Sequence, residues 1–388
     1  MNSDKPLTGI RVIEHASGVA AAHAGRLFCL LGAETIMVEA TGHSPLRQEP
    51  PFIDQEGSSS ALFAYLAAGK RSTICDLTAT AGKLAFDHLL ATADILIDDT
   101  PVADRAALGL SPAQIAKNHP HLVHLSVLPF GAIGPKAGWK GTELNLIHAG
   151  GEGYLLPNGL SADLFPDRPP LKIAGHFAQM QGGVAAAYAG LAALWTDQGQ
   201  FVDASVQDAN VMVGAFGIQR FGDGSVEHRQ TRSFRYGGVI ECRDGFVELL
   251  MLEERQWQGL ITLMGSPDWA HDPEFESVLG RSARGDEINR HIRAWARGWA
   301  VENLVARAQE QGVPMARYNE PAHILTGAHE TERGIFLDVE TENGTMVKVQ
   351  SLPCRFCAQS LPIDGAVPRP GADQHLLEFG ASDKRIGG

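Results

Sequence analysis

The first 130 residues alternate short apolar runs with helical patterns, and this alternation restricts the possible folds more than any other feature of the chain. The runs typical of buried strands are Gly9–Glu14, Thr35–Glu39, Asp94–Ile97 and Leu122–Leu128. Two intervening stretches, Ala20–Leu31 and Lys83–Ala91, are typical of helices. Apolar strands separated by helices pair in parallel through right-handed crossovers. The sequence therefore predicts an α/β fold that opens with a Rossmann-like domain.

The second half of the chain has a different pattern, with hairpins and amphipathic helices. The expected elements are an Ala- and Gly-rich helix over Gly182–Trp195, a hairpin over Gly238–Met251 with its turn at Arg243-Asp244-Gly245, helices over Glu254–Met264 and Asp286–Gln311, a second hairpin over Gly334–Val349 with its turn at Glu342-Asn343-Gly344, and a short helix in the tail. Asp-Gly and Asn-Gly pairs favour tight hairpin turns. The pattern predicts a smaller α+β domain before the tail.

Composition excludes several classes of function. The chain of 388 residues carries 32 basic and 45 acidic side chains, a net charge of −13, which argues against a nucleic-acid partner. Its first residues lack a signal-peptide pattern, and the longest apolar stretch, Val184–Trp195, is too short to span a bilayer. We therefore expect a cytoplasmic protein without a membrane partner. Cys354 and Cys357 form a lone CxxC, which we interpret as two partly buried thiols rather than a metal site.

Without knowledge of relatives, few residues suggest chemistry. The signatures of a P-loop, a nucleophile elbow and a zinc protease are absent. His148, in a Gly-rich loop, could be an acid or base, or a bystander. Lys70 and Arg71 lie at a turn before a strand and could hold a phosphate, or could form a solvated basic turn. The residues alone predict an α/β protein with an unidentified anionic ligand.

Several segments occur in an order that points to one family. They are Pro6–Glu14, Leu31–Glu39, Gly69–Leu77, Ala93–Ile97 with Leu108–Leu110, Phe130–Pro135, Gly199–Ser205, and Asp244-Gly245 with Gly312–Pro314 and Leu376–Gly380. This series resembles the family III CoA-transferases of the CaiB/BaiF type, a group that also contains α-methylacyl-CoA racemases. The similarity extends over nearly the whole chain. It implies an enzyme that uses coenzyme A thioesters as substrates and no metal.

The resemblance also implies a domain organisation. Residues 1–205 and the tail 346–388 would form the large Rossmann-like domain that binds coenzyme A. Residues 236–320 would form the small domain, with linkers over 206–235 and 321–345. Long linkers of this kind let two chains thread through each other as an interlocked dimer.

In the family, an aspartate carboxylate attacks the acyl-CoA thioester and forms a mixed anhydride. Returning CoA thiolate then gives an aspartyl-CoA thioester, from which an acceptor carboxylic acid collects the CoA. The matching position here is Gln179, and no acidic residue lies between Asp167 and Asp197. An uncharged amide cannot replace a carboxylate nucleophile. Gln179 could donate a hydrogen bond to a thioester oxygen, or satisfy backbone groups at a helix start.

Other family positions differ as well. An Asn-Phe pair that helps to hold the CoA is replaced by Asp99-Thr100, and a negative charge there disfavours a nearby phosphate. Lys70 and Arg71 are retained, so the resemblance still implies CoA binding. Glu143 matches an acidic residue of the family.

Three hypotheses follow from the resemblance. The chain is the nucleophile-deficient subunit of a heteromeric CoA-transferase, acting on acyl-CoA and a carboxylic acid, and this is the hypothesis we favour. Alternatively, it is an acyl-CoA isomerase, racemase or lyase that uses Glu143, His148 or His176. In the third hypothesis it binds CoA without catalysis, as a scaffold. Its partner would be a homologous subunit or a second copy of itself.

Overall fold

The chain forms two compact units in the computed structural model, which describes residues 5–54, 57, 59–155, 171–214 and 236–378. Among the described residues, the first unit contains those up to 155, residues 171–214 and residues 333–378. The second unit contains residues 236–332.

A six-stranded parallel sheet forms the centre of the first unit. Its strands are β1 (Arg11–His15), β2 (Glu34–Glu39), β3 (Arg71–Ile74), β4 (Ile95–Asp98), β5 (Val123–Leu128) and β6 (Gln200–Ser205), in the order β3-β2-β1-β4-β5-β6. Val12 of β1 pairs with Thr35 of β2 on one side and with Ile95 of β4 on the other. The predicted α/β fold with a parallel sheet is confirmed, while β6 was not expected as a strand.

Helices cover both faces of this sheet. They are α1 (Val19–Leu30), α2 (Ala61–Ala67), α3 (Thr80–Leu90), α4 (Val102–Leu108), α5 (Pro112–Asn118), α6 (Glu143–Ala149), α7 (Glu152–Leu155), α8 (Phe177–Leu194) and α9 (Val206–Val213). Val12 and Ile13 are adjacent on β1 and fully buried in two different core clusters. Successive side chains of a strand point to opposite faces, so both faces of the sheet are buried.

The long Ala/Gly helix α8 packs closely against α1. A Cβ atom on Gly183 would lie 2.6 Å from the carbonyl oxygen of Ala20 and 2.9 Å from the Cβ of His23. The helix begins at Phe177, five residues before the predicted start at Gly182. Its far side is not covered in this chain, since Tyr188 is 75% exposed.

The tail returns to the first unit as the second predicted hairpin, with β10 (Phe336–Glu340) antiparallel to β11 (Met346–Gln350). A 3-10 helix, Gln374–Leu377, follows near the end of the described tail. Both are confirmed predictions. Cys354 and Cys357, expected to be partly buried, are exposed, because the segment after β11 has no regular structure and lies at the surface.

The second unit combines a small antiparallel sheet with helices. Its strands are β7 (Gly238–Cys242), β8 (Gly245–Leu249) and β9 (Met315–Arg317), and its helices are α10 (Glu254–Leu263), α11 (Val278–Ala283), α12 (Gly285–Ala296), α13 (Val301–Glu310), α14 (Pro321–Thr326) and α15 (Ala328–Arg333). The first predicted hairpin is confirmed. The single helix predicted over Asp286–Gln311 is wrong: a turn around Gly298, closed by a hydrogen bond from Trp299 N to Ala296 O, separates α12 from α13. Among all the described helices, none has the length and apolar character needed to cross a bilayer.

The α1–α8 contact gives a test of the fold. Gly183→Val places a branched side chain against the α1 backbone, which cannot move without displacing the sheet, and should lower the free energy of unfolding by about 3 kcal/mol or more. Urea denaturation measures this change. Gly42→Val is the matched control, because no atom lies within 4 Å of its Cβ position, and should cost less than about 1 kcal/mol. Equal effects of the two substitutions would contradict the packing.

Candidate functional site

Two concave sites of the first unit lie where the parallel strands end. A cavity of about 390 Å³, here named the central cavity, is bordered by the residues that follow β1, β4 and β5 and by the start of α8. Its lining includes Ser17, Gly18, Asp99, Pro101, Lys140 and Gln179. The strand order reverses between β1 and β4, and ligands of open α/β sheets bind outside the carboxyl ends of the strands at such a switch point.

Glu143 fixes the position of Gln179 in this cavity. One oxygen of the Glu143 carboxylate accepts a hydrogen bond from the N–H of Ala178 at 2.7 Å, and the other accepts one from the N–H of Gln179 at 3.1 Å. These are first-turn donors of α8, which have no partner within the helix. The side-chain Nε2 of Gln179 lies 3.2 Å from Nδ1 of His176. Capping by Glu143 explains why α8 starts earlier than its Ala-rich sequence suggested.

These contacts weigh against Glu143 as a catalytic base. Glu143 is only 7% exposed, and both oxygens of its carboxylate accept hydrogen bonds from backbone N–H groups. A general base must reach the proton that it removes from a substrate. The isomerase, racemase or lyase hypothesis therefore gains no support from this residue.

His148 does not lie in a loop as expected. It is on α6. The N-terminus of this helix is capped by Asn145, whose side-chain oxygen accepts a hydrogen bond from the N–H of Thr142. Nε2 of His148 is 3.1 Å from the carbonyl oxygen of Leu171, and His148 is not among the residues that line the central cavity.

Asp99 lines the central cavity and caps the N-terminus of α1. Its carboxylate accepts hydrogen bonds from the N–H groups of Ser17, at 2.9 Å, and Gly18, at 2.6 Å. The N-terminus of a helix that follows the first strand is an anion-binding position in many nucleotide-binding sheets. Here a carboxylate of the chain itself fills that position. Burial raises the pKa of Asp99 to about 6, although the two backbone hydrogen bonds act in the opposite direction.

Thr100 belongs to a buried ionic network beside Asp99. Its N–H donates to Asp98, a fully buried carboxylate that also lies 3.2 Å from Nε2 of His124 and 3.3 Å from Nη2 of Arg105. Burial acts to raise the pKa of Asp98, but hydrogen bonds from His124 and His15 and the charge of Arg105 together hold that pKa well below its usual value. Through this network Thr100 helps to hold the backbone next to Asp99 in place.

Lys70 and Arg71, the cations expected to hold CoA, have protein partners. Nζ of Lys70 is buried, 2.6 Å from Glu14 and 2.8 Å from the carbonyl oxygen of Ala22. Burial lowers the pKa of Lys70 despite the attraction of Glu14. Arg71 pairs with Glu34 at 3.1 Å and opens β3, at the amino edge of the sheet. Neither residue lines the central cavity.

Two other lysines, missed in the sequence, lie at the central cavity or beside it. Lys140 and Trp139 line the cavity, and both are exposed. Nζ of Lys136 lies 5.5 Å from the ring centre of Phe130 and 5.6 Å from that of Trp139, at cation–π distances. The signal was present as two lysines four residues apart around a tryptophan in the Gly-rich stretch Gly134–Gly141.

A second cavity, here named the acidic cavity, adjoins the first. It has a volume of about 630 Å³ and lies at the carboxyl ends of β1 to β4. The two cavities share Ser17, Asp99 and Pro101. The ionisable side chains among the described residues that line the acidic cavity are His15, Glu39, His43, Cys75, Asp76, Asp99 and Asp104, and these residues include no lysine or arginine.

In the part of the chain that the structure describes, no group of three His, Cys, Asp or Glu side chains is arranged to bind a metal ion.

The chain is similar to known proteins over nearly its whole length. A model of CoA-transferase family III matches residues 7–374. The chain is 32% identical to a probable CoA-transferase of Mycobacterium tuberculosis over 84% of this chain, which corresponds to only 41% of that protein. It is 30% identical to a succinyl-CoA:(R)-benzylsuccinate CoA-transferase subunit of Thauera aromatica, over 67% of this chain and 64% of that one. A crystal structure of a CaiB/BaiF family protein from Brucella suis has a TM-score of 0.84 and 26% identity, and covers 98% of this chain and 100% of that chain.

The Glu143 cap can be tested by Glu143→Gln. A glutamine presents one carbonyl oxygen and an NH₂ group, so one of the two N–H donors of α8 loses its acceptor, and the free energy of unfolding should fall by about 1–2 kcal/mol. Urea denaturation measures the loss. Glu310→Gln, in an exposed pair with Arg307, is the matched control and should change stability by less than about 0.5 kcal/mol. A loss no larger than that of the control would show that Glu143 is not the cap.

The position of Asp99 predicts a pH dependence. Its folded-state pKa of about 6 exceeds the usual 3.8, so between these values the folded chain holds a proton that the unfolded chain has released. The contribution of Asp99 to the free energy of unfolding is therefore present at low pH and is lost as the pH rises through 6. Asp98 does not interfere, because its pKa lies well below this range.

Asp99→Asn should remove this dependence. The difference in unfolding free energy between the variant and the original chain should shift in favour of the variant by about 1 kcal/mol from pH 5 to pH 8. Denaturation curves at both pH values measure the shift. Asp208→Asn, an exposed carboxylate in the first turn of α9, should show no such shift. A difference that is the same at pH 5 and pH 8 would mean that Asp99 titrates normally.

Proposed function

The chain belongs to CoA-transferase family III, whose members act on acyl-CoA thioesters, and from this we propose that it is the nucleophile-deficient subunit of a heteromeric CoA-transferase. In this proposal it binds an acyl-CoA in the central cavity, and a homologous chain supplies the aspartate that attacks the thioester. The observation that carries the proposal is Gln179, an amide that lines the cavity where the family resemblance places the attacking carboxylate.

The cavity offers suitable groups for an acyl-CoA. Lys140 lines it and Lys136 lies nearby, so two ammonium groups can face the diphosphate of CoA. Gln179 can donate a hydrogen bond from Nε2 to the thioester oxygen if it turns away from His176, which lies 3.2 Å away. Apolar residues such as Val127 and Leu146 complete the lining, in keeping with a pantetheine chain.

The same lining explains why this chain would need a partner. Among the described residues, Asp99 is the one carboxylate that lines the central cavity, and its oxygens accept hydrogen bonds from Ser17 and Gly18. Glu143 is occupied by the start of α8. The relative from Thauera aromatica is itself a subunit by name, so division between chains has a precedent among relatives.

We propose further that the chain assembles as an interlocked dimer with a homologue or with a second copy. This follows from the family resemblance and is supported by large apolar side chains on the first unit. Tyr188 on α8, Trp195 just after it and Met212 on α9 are 75%, 93% and 79% exposed. Such groups are typical of a subunit contact.

Gln179→Asp tests the role of the missing carboxylate. The original chain alone should transfer no CoA from succinyl-CoA or acetyl-CoA to a panel of short carboxylic acids. Gln179→Asp should gain transfer at least tenfold above background and form a covalent adduct with CoA that intact-protein mass spectrometry detects. Gln181→Asp, two residues along the same helix, is the matched control and should gain neither.

The same assay separates the alternatives. Co-expression with a homologue that carries the aspartate should restore transfer to the original chain. Transfer by the original chain alone would contradict the proposal. Binding of acyl-CoA without transfer under any of these conditions would indicate a scaffold instead.

A further inference from the structure

The two cavities differ sharply in charge. Lys136 and Lys140 lie at or beside the central cavity, whereas the acidic cavity is lined by four carboxylates and by no lysine or arginine. The two cavities meet at Ser17, Asp99 and Pro101, so one extended ligand can occupy both. Coenzyme A is such a ligand, with a thioester end, a diphosphate in the middle, and an adenosine that carries a separate 3′-phosphate.

The acidic cavity has the right size and place for the adenosine. Its volume of about 630 Å³ is within the range of small-molecule sites, and it lies at the switch point of the sheet, where nucleotides bind in related architectures. With the thioester beside Gln179 and the diphosphate near Lys140, the adenosine would extend past the shared wall into this cavity.

Two arginines near the acidic cavity are engaged by protein groups. Arg47 forms two hydrogen bonds with Glu39, at 2.7 and 2.8 Å, and so neutralises that carboxylate. Arg105, on α4, is directed to Asp98 and Ser126 in the interior. Among the described residues, the lining therefore presents no lysine or arginine to a 3′-phosphate.

Two carboxylates of the lining, Asp76 and Asp104, are exposed to solvent. Asp76 follows β3, and hydrogen bonds from the side chain and the N–H of Thr78 hold its pKa below the usual value. Asp104 lies in the first turn of α4 and is exposed. A phosphate dianion close to these groups is repelled, while a ribose hydroxyl can donate to them.

From this geometry, and resting on the proposed function, we propose that the site does not bind the 3′-phosphate of coenzyme A. The chain then accepts 3′-dephospho-CoA at least as well as CoA, and Asp76 and Asp104 set this preference. The diphosphate is recognised at Lys140 and the adenosine is recognised without its extra charge.

Calorimetric titration of the full chain with CoA and with 3′-dephospho-CoA tests this inference. Both titrations are made at pH 8. At low salt, where surface charges are least screened, the dissociation constant for 3′-dephospho-CoA should be equal to that for CoA or up to about tenfold lower.

In the double variant Asp76→Asn/Asp104→Asn, CoA should bind about 3–10-fold more tightly than to the original chain, while the dissociation constant for 3′-dephospho-CoA should change less than twofold. Asp208→Asn, an exposed first-turn carboxylate outside both cavities, is the control and should change neither.

The outcomes distinguish this inference from the proposed function. Binding of CoA at least fivefold tighter than that of 3′-dephospho-CoA would overturn it, and would place the 3′-phosphate beside lysines rather than carboxylates. A double variant that leaves the ratio of the two constants unchanged would overturn the role of Asp76 and Asp104. Failure of both ligands to bind would instead refute the proposed function.

Discussion

The carboxylate of Glu143 is the contact on which the arrangement of the site depends. It joins two segments that are about 35 residues apart in sequence, because Glu143 is the first residue of α6 and its carboxylate caps the first turn of α8. The cap fixes the backbone of Gln179, and α8 in turn packs against α1 through Gly183. The position of the amide in the central cavity therefore follows from a buried hydrogen-bonded charge and from helix packing, both of which resist displacement.

Charge in the first unit is organised in the same way, with buried ions held by partners of opposite sign. Lys70 meets Glu14, and Asp98 meets Arg105, at positions with almost no exposure. An unpaired charge would be expensive at these places, so the pairs fix the side chains that support the carboxyl edge of the sheet. Asp99 has no cation of its own and depends on two backbone N–H groups, which is why burial raises its pKa.

The sequence was sufficient for the apolar strands of the parallel sheet, but not for β6 or for the partners of charged groups. Apolar runs such as Leu122–Leu128 are recognisable because a strand buried on both faces needs apolar side chains throughout. The break between α12 and α13 was missed because both helices keep an amphipathic pattern across Gly298. The inward direction of Lys70 could not be predicted, since its partner Glu14 is 56 residues away and becomes a neighbour only through the parallel pairing.

The candidate site shows the same limit. Gln179 was singled out because the family resemblance places an aspartate at that position, which is a local feature of the sequence. His148 was placed in a loop because glycines follow it, although it lies in α6, whose N-terminus is capped by Thr142 and Asn145. Lys140 was overlooked because its significance depends on the loop that brings it to the end of β5.

The amide at position 179 adds no charge beside the buried carboxylate of Glu143. The N–H of Gln179 donates to Glu143, so a carboxylate at this position would stand close to a second, buried negative charge. Like charges at short range raise the pKa of one of the groups, and the positive end of α8 offsets only part of that effect. Glutamine at this position avoids that repulsion, and the Glu143 cap is intact beside it. Under the proposed function, glutamine takes the place of the nucleophile, while the rest of the cavity lining is available to a thioester.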